Sequence, residues 1–283
     1  MIYLVLCIII SVIILITFKL FQHFNINRGN AIVLSYFFSF ALALITNGTE
    51  GLKAEILTSN WFITGGITGI TFYLGFRLFA VSTHKIGLAV TSISSNMSVI
   101  VPVVFAIIFY HESTAGWKIP GIILALISFY FVLKPEKNTH LDKHNIYLPI
   151  LLFLITGTNA ILISLSQTSG GNNHMLLLMA DIFFFAFAFG MIVNRTNQKR
   201  MPFTRRDIGV AAVLGLRNYG STMMILKSLS VLDDTVFFPG YNAGYIVLSA
   251  FVGTLIFKER LHTVNKIGIA MATIAVIIIT SGI

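Results

Sequence analysis

Two charges stand where an apolar chain can least accommodate them. Arg217 lies about ten residues from either end of the apolar run 208–229, and Asp181 is the one acidic residue deep in such a run, 174–193. A charge at that depth in hydrocarbon costs roughly 2.5–3.5 kcal/mol on insertion scales, so each needs a partner or a wet cavity. Two chemistries meet that need. Arg217 and Asp181 form a structural ion pair, or one of them works on its own, Arg217 as a clamp for an anionic group of a solute or Asp181 as a proton-linked carboxylate. Tyr73, Asn218 and Tyr219 add hydroxyl and amide groups from the runs 60–82 and 208–229, although Tyr also serves as an interfacial anchor. Arg77 and Lys19 lie nearer run ends, where a long side chain snorkels to water.

A second set is polar without charge. Thr91, Ser95, Ser98 and Pro102 recur at the spacing of one helix face, with Asn96 beside them. A shift of 147 positions maps this stripe onto Phe238, Asn242, Tyr245 and Ser249, with Tyr241 alongside. Hydroxyl and amide groups on such faces replace the hydration of a solute in a pathway, or they hydrogen-bond neighbouring helices. Pro102 and Pro239 each remove a backbone donor inside an apolar run, so each is a candidate hinge or a tolerated kink.

Familiar catalytic signatures are missing. No Walker A loop, HExxH zinc motif or nucleophile elbow occurs, so no catalytic residue, metal or cofactor is expected, and the chain does not read as an enzyme. The alternative is an integral-membrane lipid-modifying transferase, for which the basic loop Arg195 to Arg206 is the nearest candidate interface; the same loop also reads as a topology determinant.

The elements that must carry these residues follow from composition. Of 283 residues 56% are hydrophobic and 10% charged, and mean hydropathy is +0.88, so lipid is the solvent for most of the chain. Apolar runs of about 18 or more residues recur, each long enough to cross about 30 Å of hydrocarbon. Lipid allows no unbonded backbone, so the runs are expected to be helices. Ten are predicted, at 2–22, 30–48, 60–82, 87–109, 116–133, 146–166, 174–193, 208–229, 235–257 and 263–282. The first lacks a basic leader and a small-residue cleavage signature, and reads as a retained helix. The net charge of +9 sits in short loops, which excludes nucleic acid as a partner. Cys7 reads as a buried apolar residue.

The 147-residue shift also pairs Glu112 with Glu259, Gly121 with Gly268, Ala125 with Ala272 and Ile127 with Ile274, without a gap. The chain reads as an all-α integral membrane protein made of two five-helix repeats, 1–134 and 145–283. Five is odd, so the second repeat enters the membrane from the opposite side. Such inverted repeats place a substrate site near the midplane between the halves. Glu112 and Glu259, each at a helix end, read as a recurring elbow.

The stretch Leu88 to Leu133, with its small polar residues, Pro102, His111-Glu112 and Gly121, resembles an EamA domain of the drug/metabolite transporter superfamily. Thr235 to Ile279, with Lys258-Glu259-Arg260 and Gly268, resembles a second copy. The resemblance implies a ten-helix exporter or exchanger of a small metabolite or drug-like solute, driven by an ion or solute gradient. Its partners would be that solute and the bilayer, with room for a homo-oligomer, in a bacterial cytoplasmic membrane. Lys and Arg crowd the loops joining predicted helices 1–2, 3–4, 5–6, 7–8 and 9–10, which by the positive-inside rule puts both termini outside. Members of the resembled group commonly keep both termini inside.

Overall fold

A computed structural model describes residues 1–21, 28–47, 59–85, 95–96, 98–111, 117–133, 147–196, 204–255 and 263–281. All regular structure among the described residues is helical. In chain order the α-helices are α1 (Ile2–Phe21), α2 (Arg28–Asn47), α3 (Asn60–Lys85), α4 (Ile100–Phe109), α5 (Lys118–Leu133) and α6 (Tyr147–Thr168). A 3₁₀ turn (Gly171–His174) then leads into α7 (Met175–Thr196), followed by α8 (Arg205–Leu229), α9 (Asp234–Leu255) and α10 (Thr263–Ser281). Among the described residues four segments are long and apolar enough to cross a membrane: Gly29–Asn47, Asn60–Phe79, Tyr147–Thr168 and Gly171–Thr196.

Local chemistry sets several boundaries. Thr204 and Asp207 close a reciprocal capping box, Thr204 Oγ1 accepting from Asp207 N at 3.1 Å and Asp207 Oδ2 from Thr204 N at 3.0 Å. That satisfies two of the amide donors a helix start leaves open, so α8 begins before the expected residue 208. Gly170 takes φ +114°, a left-handed turn between α6 and the 3₁₀ segment that only glycine enters freely. At the end of α4 the Tyr110 amide donates to Ala106 O, and His111 adopts φ +50°. The sequence places His111 at a helix end, and the chain stops the helix there with a left-handed residue.

The chain divides into two compact units, each drawing on both halves of the sequence. The first comprises Met1–Ile9, Gly75–Ile161 and Val231–Ile283; the second comprises Ile10–Leu74 and Leu162–Ser230. In the first unit α5 packs along α10, and α9 packs against α4, α5 and α10. Gly157 of α6 takes Val101 against its backbone, and Gly244 of α9 takes Ile8 of α1.

In the second unit α2 lies against both α7 and α8. The α2–α8 seam closes on Gly215, where an added Cβ would stand 2.6 Å from Phe38 Cβ and 2.7 Å from Ser35 O. The α3–α7 seam closes on Gly65 and Gly69, spaced one helical turn apart. An added Cβ at Gly69 would collide with the Ile182 carbonyl oxygen, and one at Gly65 with the Asp181 carboxyl. Small residues are what let two helix backbones approach this closely in a membrane.

Candidate functional site

The residues singled out from sequence fall into both units. Asp181, Arg217, Tyr73, Asn218 and Tyr219 belong to the second; Ser95, Asn96, Ser98, Pro102, Pro239, Tyr241, Asn242 and Tyr245 belong to the first. Thr91 lies outside the described residues.

In the first unit the decisive element is α9. Phe237, Tyr241 and Tyr245 stand one turn apart on one face and stack in series, with centroids 5.8 and 6.1 Å apart and ring planes inclined by 20° and 27°. Phe238 adds an edge contact to Phe237 at 5.1 Å. Phe237 is buried, whereas the half-buried Tyr241 and Tyr245 offer a flat, polarisable face with a hydroxyl on each ring, suited to aromatic or cationic groups. Asn242 donates from Nδ2 to Phe238 O at 2.8 Å, so its amide is turned onto its own helix. Pro239 is buried inside α9.

The start of α4 is irregular for a reason its sequence contains. Proline clashes with the carbonyl four residues back. Ahead of Pro102 the bonds run three residues instead of four, from Val99 N to Asn96 O at 3.2 Å and from Val101 N to Ser98 O at 3.0 Å. Ser98 is buried and donates to Ser95 O, while Ser95 and Asn96 are half-buried. Pro102 itself sits in the first turn of α4, where its missing N–H has no intrahelical partner to lose. Residues 95 and 96 are helical and 98 and 99 form a turn, so Pro102 stands in the first turn after an irregular stretch of backbone.

In the second unit the polar side chains of α2 and α8 bond across the seam. Ser39 Oγ donates to Ser35 O and to Gly215 O, both at 2.9 Å. Asn218 Nδ2 donates to Ser35 Oγ at 3.3 Å, and Tyr219 OH and Thr46 Oγ1 share a bond of 2.9 Å. Asn218 and Tyr219, expected to offer hydrogen bonds to a solute, here hold α8 to α2. Tyr73 is buried against Gly190, whose missing side chain makes room for the ring, and meets Phe189 edge-on at 5.9 Å.

Asp181 departs from one of its two expected roles. It is only 6% exposed, and among the described residues neither carboxyl oxygen takes a hydrogen bond. The structural ion pair with Arg217 is therefore not formed. The reason is azimuth: Asp181 projects from α7 onto α3 at Gly65, whereas α8 is held against α2 through Gly215, and Arg217 is half-buried there with contacts of its own. Above Asp181 the seam is capped by Trp61 of α3 stacking on His174 at 5.7 Å, and beside it Thr68 and Ser166 hydroxyls lie 3.2 Å apart. An apolar groove lined by Phe62, Ile63, Gly66, Ile67, Ile70 and Phe185 also runs along α3 and α7.

Sequence reasoning missed this seam, although its signal was present: Gly65-Gly66 and Gly69 form a small-residue repeat in an apolar run. It also missed Gln167, which donates from Nε2 to Leu226 O at 2.7 Å and ties α6 to the end of α8.

No protein-family model matches the chain. It is similar to a protein of Haemophilus influenzae described only as uncharacterized, with 24% identity over 284 residues that cover 96% of this chain and 95% of the relative. A solved crystal structure aligns with 99% of this chain and 96% of its own length at a TM-score of 0.76 and 10% identity. At that identity the likeness is one of fold.

Proposed function

We propose that the chain is a secondary transporter of the EamA type, exporting or exchanging a small metabolite or drug-like solute by alternating access. On this reading all ten helices span a bacterial cytoplasmic membrane as two inverted five-helix repeats, 1–134 and 145–283, and no catalysis or cofactor is involved. The observation that carries it is how helices of equal rank in the two halves pair. The fourth helices, α4 and α9, pack together, as do the fifth, α5 and α10, and the second, α2 and α7. One further pair of seams exchanges under the same operation, α2 with α8 answering α3 with α7. A two-fold relation between inverted repeats produces this pattern, and it is the architecture of many secondary transporters.

The solute wall we assign is the half-buried pair Tyr241 and Tyr245 of α9 together with Ser95 and Asn96, which precede α4. Purified protein screened by thermal shift against amino acids, nucleosides, sugars and aromatic cations should be stabilised by one class. That compound should then drive counterflow into liposomes, and Tyr241→Ala should weaken both responses. Product formation without accumulation would instead favour a membrane transferase. For orientation, a reporter active only in the cytoplasm should work in the loop Arg195 to Arg206 and fail after Ile283; the reverse result would put both termini inside.

A further inference from the structure

We propose that Asp181 is a proton-binding site, and that the α3–α7 seam is closed over its neutral acid and loosened when the proton leaves. The side chain is 6% exposed, both its oxygens lack a hydrogen-bond partner among the described residues, and Oδ2 lies where Gly65 leaves no side chain. A buried carboxylate without donors is far more costly than the neutral acid of the same shape. Gly65 can give it no bond but can give it room: any side chain there would occupy the position of the carboxyl.

None of the described titratable and charged groups on the elements packed around α7 bonds the Asp181 oxygens. His174 stacks on Trp61, Tyr36 faces Phe183, Tyr73 lies against Gly190 and Tyr219 bonds Thr46. Arg195 and Lys227 stand in the last turns of α7 and α8, Arg205, Arg206 and Asp207 stand in the first turn of α8, and Arg217 does not reach the Asp181 oxygens. No described cation is placed to replace the proton. Binding one proton converts the carboxylate to the acid, and releasing it to water requires the seam to admit that water between Gly65 and α7. In a transporter this would be the point at which a proton gradient acts on the helices, a consequence that rests on the transport reading; the proton site itself does not.

The test uses full-length protein without any solute. Infrared difference spectra between acidic and alkaline buffer should show loss of a protonated carboxylic-acid band that shifts with carboxyl-¹³C aspartate and is absent in Asp181→Asn. Wild-type melting temperature should fall as pH rises from 5 to 9, and Asp181→Asn, fixed in the neutral shape, should show a flatter profile. Asp181→Ala, which has nothing to ionise, keeps the comparison open if the asparagine variant does not fold. A wild-type spectrum with no isotope-shifted acid band, or variants with unchanged spectra and pH profiles, would overturn the proposal. So would restoration of wild-type stability at high pH by sodium chloride but not by choline chloride, which would make the site one for a metal cation. Failure of counterflow with these spectra intact would sink the transport reading alone.

Discussion

The two glycine seams of the second unit use one device for opposite ends. At α2–α8 the close approach over Gly215 brings Ser35, Ser39 and Asn218 within bonding distance, and their donors are matched to acceptors across or along the seam. At α3–α7 the approach over Gly65 and Gly69 is as close, yet the polar group it encloses, Asp181, is matched to nothing among the described residues. Hydrogen-bonded polar groups in a membrane bundle hold helices together. An unmatched carboxyl at the same kind of seam destabilises the packed state whenever it is charged, and evolution tolerates such a cost where the group has work to do.

The largest effect expected from breaking this comparison is at Gly69. Its added Cβ would meet the Ile182 carbonyl, a backbone atom that cannot rotate away. Gly69→Leu should therefore destabilise at or above the upper end of the roughly 1–3 kcal/mol typical of overpacking, read as loss of monodisperse protein in thermal-stability chromatography. Gly209, with nothing within 4 Å of an added Cβ, is the matched control: Gly209→Leu should leave the melting temperature nearly unchanged. Equal losses at both positions would show that the seam is not tightly closed.

Part of this was legible in advance. Apolar runs located helices because that signal is local: the expected run 60–82 falls within α3, whereas the capping box of Thr204 and Asp207, in a stretch read as a loop, starts α8 three residues before the expected 208. The charge depths of Asp181 and Arg217 were legible for the same reason. Their azimuths were not, since which face of α7 meets α3 depends on where Gly65, Gly69 and Gly215 let backbones close, a property of the assembled bundle. The polar stripe of α4 and α9 was read as one uniform face. The structure instead gives Asn242 a bond to its own helix and makes a ring stack of Tyr241 and Tyr245, one turn apart.

A smaller effect tests the bonded seam. Ser39→Ala removes the donor to Gly215 O and to Ser35 O while keeping the size that the approach requires. The expected loss is about 0.6 kcal/mol, and no more than about 1.7, as for other hydrogen bonds between membrane helices. Tyr219→Phe, at the more exposed end of the seam, should lose less. A larger loss at Tyr219 than at Ser39 would place the stability of α2–α8 at its rim, contrary to the burial of Ser39.

The smallest expected number is the most discriminating. If Asp181 and Arg217 were an ion pair, removing either partner would strand the other, and the double variant would recover much of the loss. Here Asp181 faces Gly65 and no described group bonds its oxygens, while Arg217 makes its contacts from the helix that closes on α2. Asp181→Asn and Arg217→Gln should therefore act independently. Asp181→Asn should stabilise, or leave stability unchanged, at alkaline pH, because it removes a charge with no partner. Arg217→Gln should lose whatever its own neighbours supply. In a double-mutant cycle followed by thermal unfolding at one pH, the coupling should stay within the roughly 0.3–0.5 kcal/mol expected of independent sites. A coupling above about 1 kcal/mol would mean that the two charges meet in solution, and the contrast between a matched and an unmatched seam would fall with it.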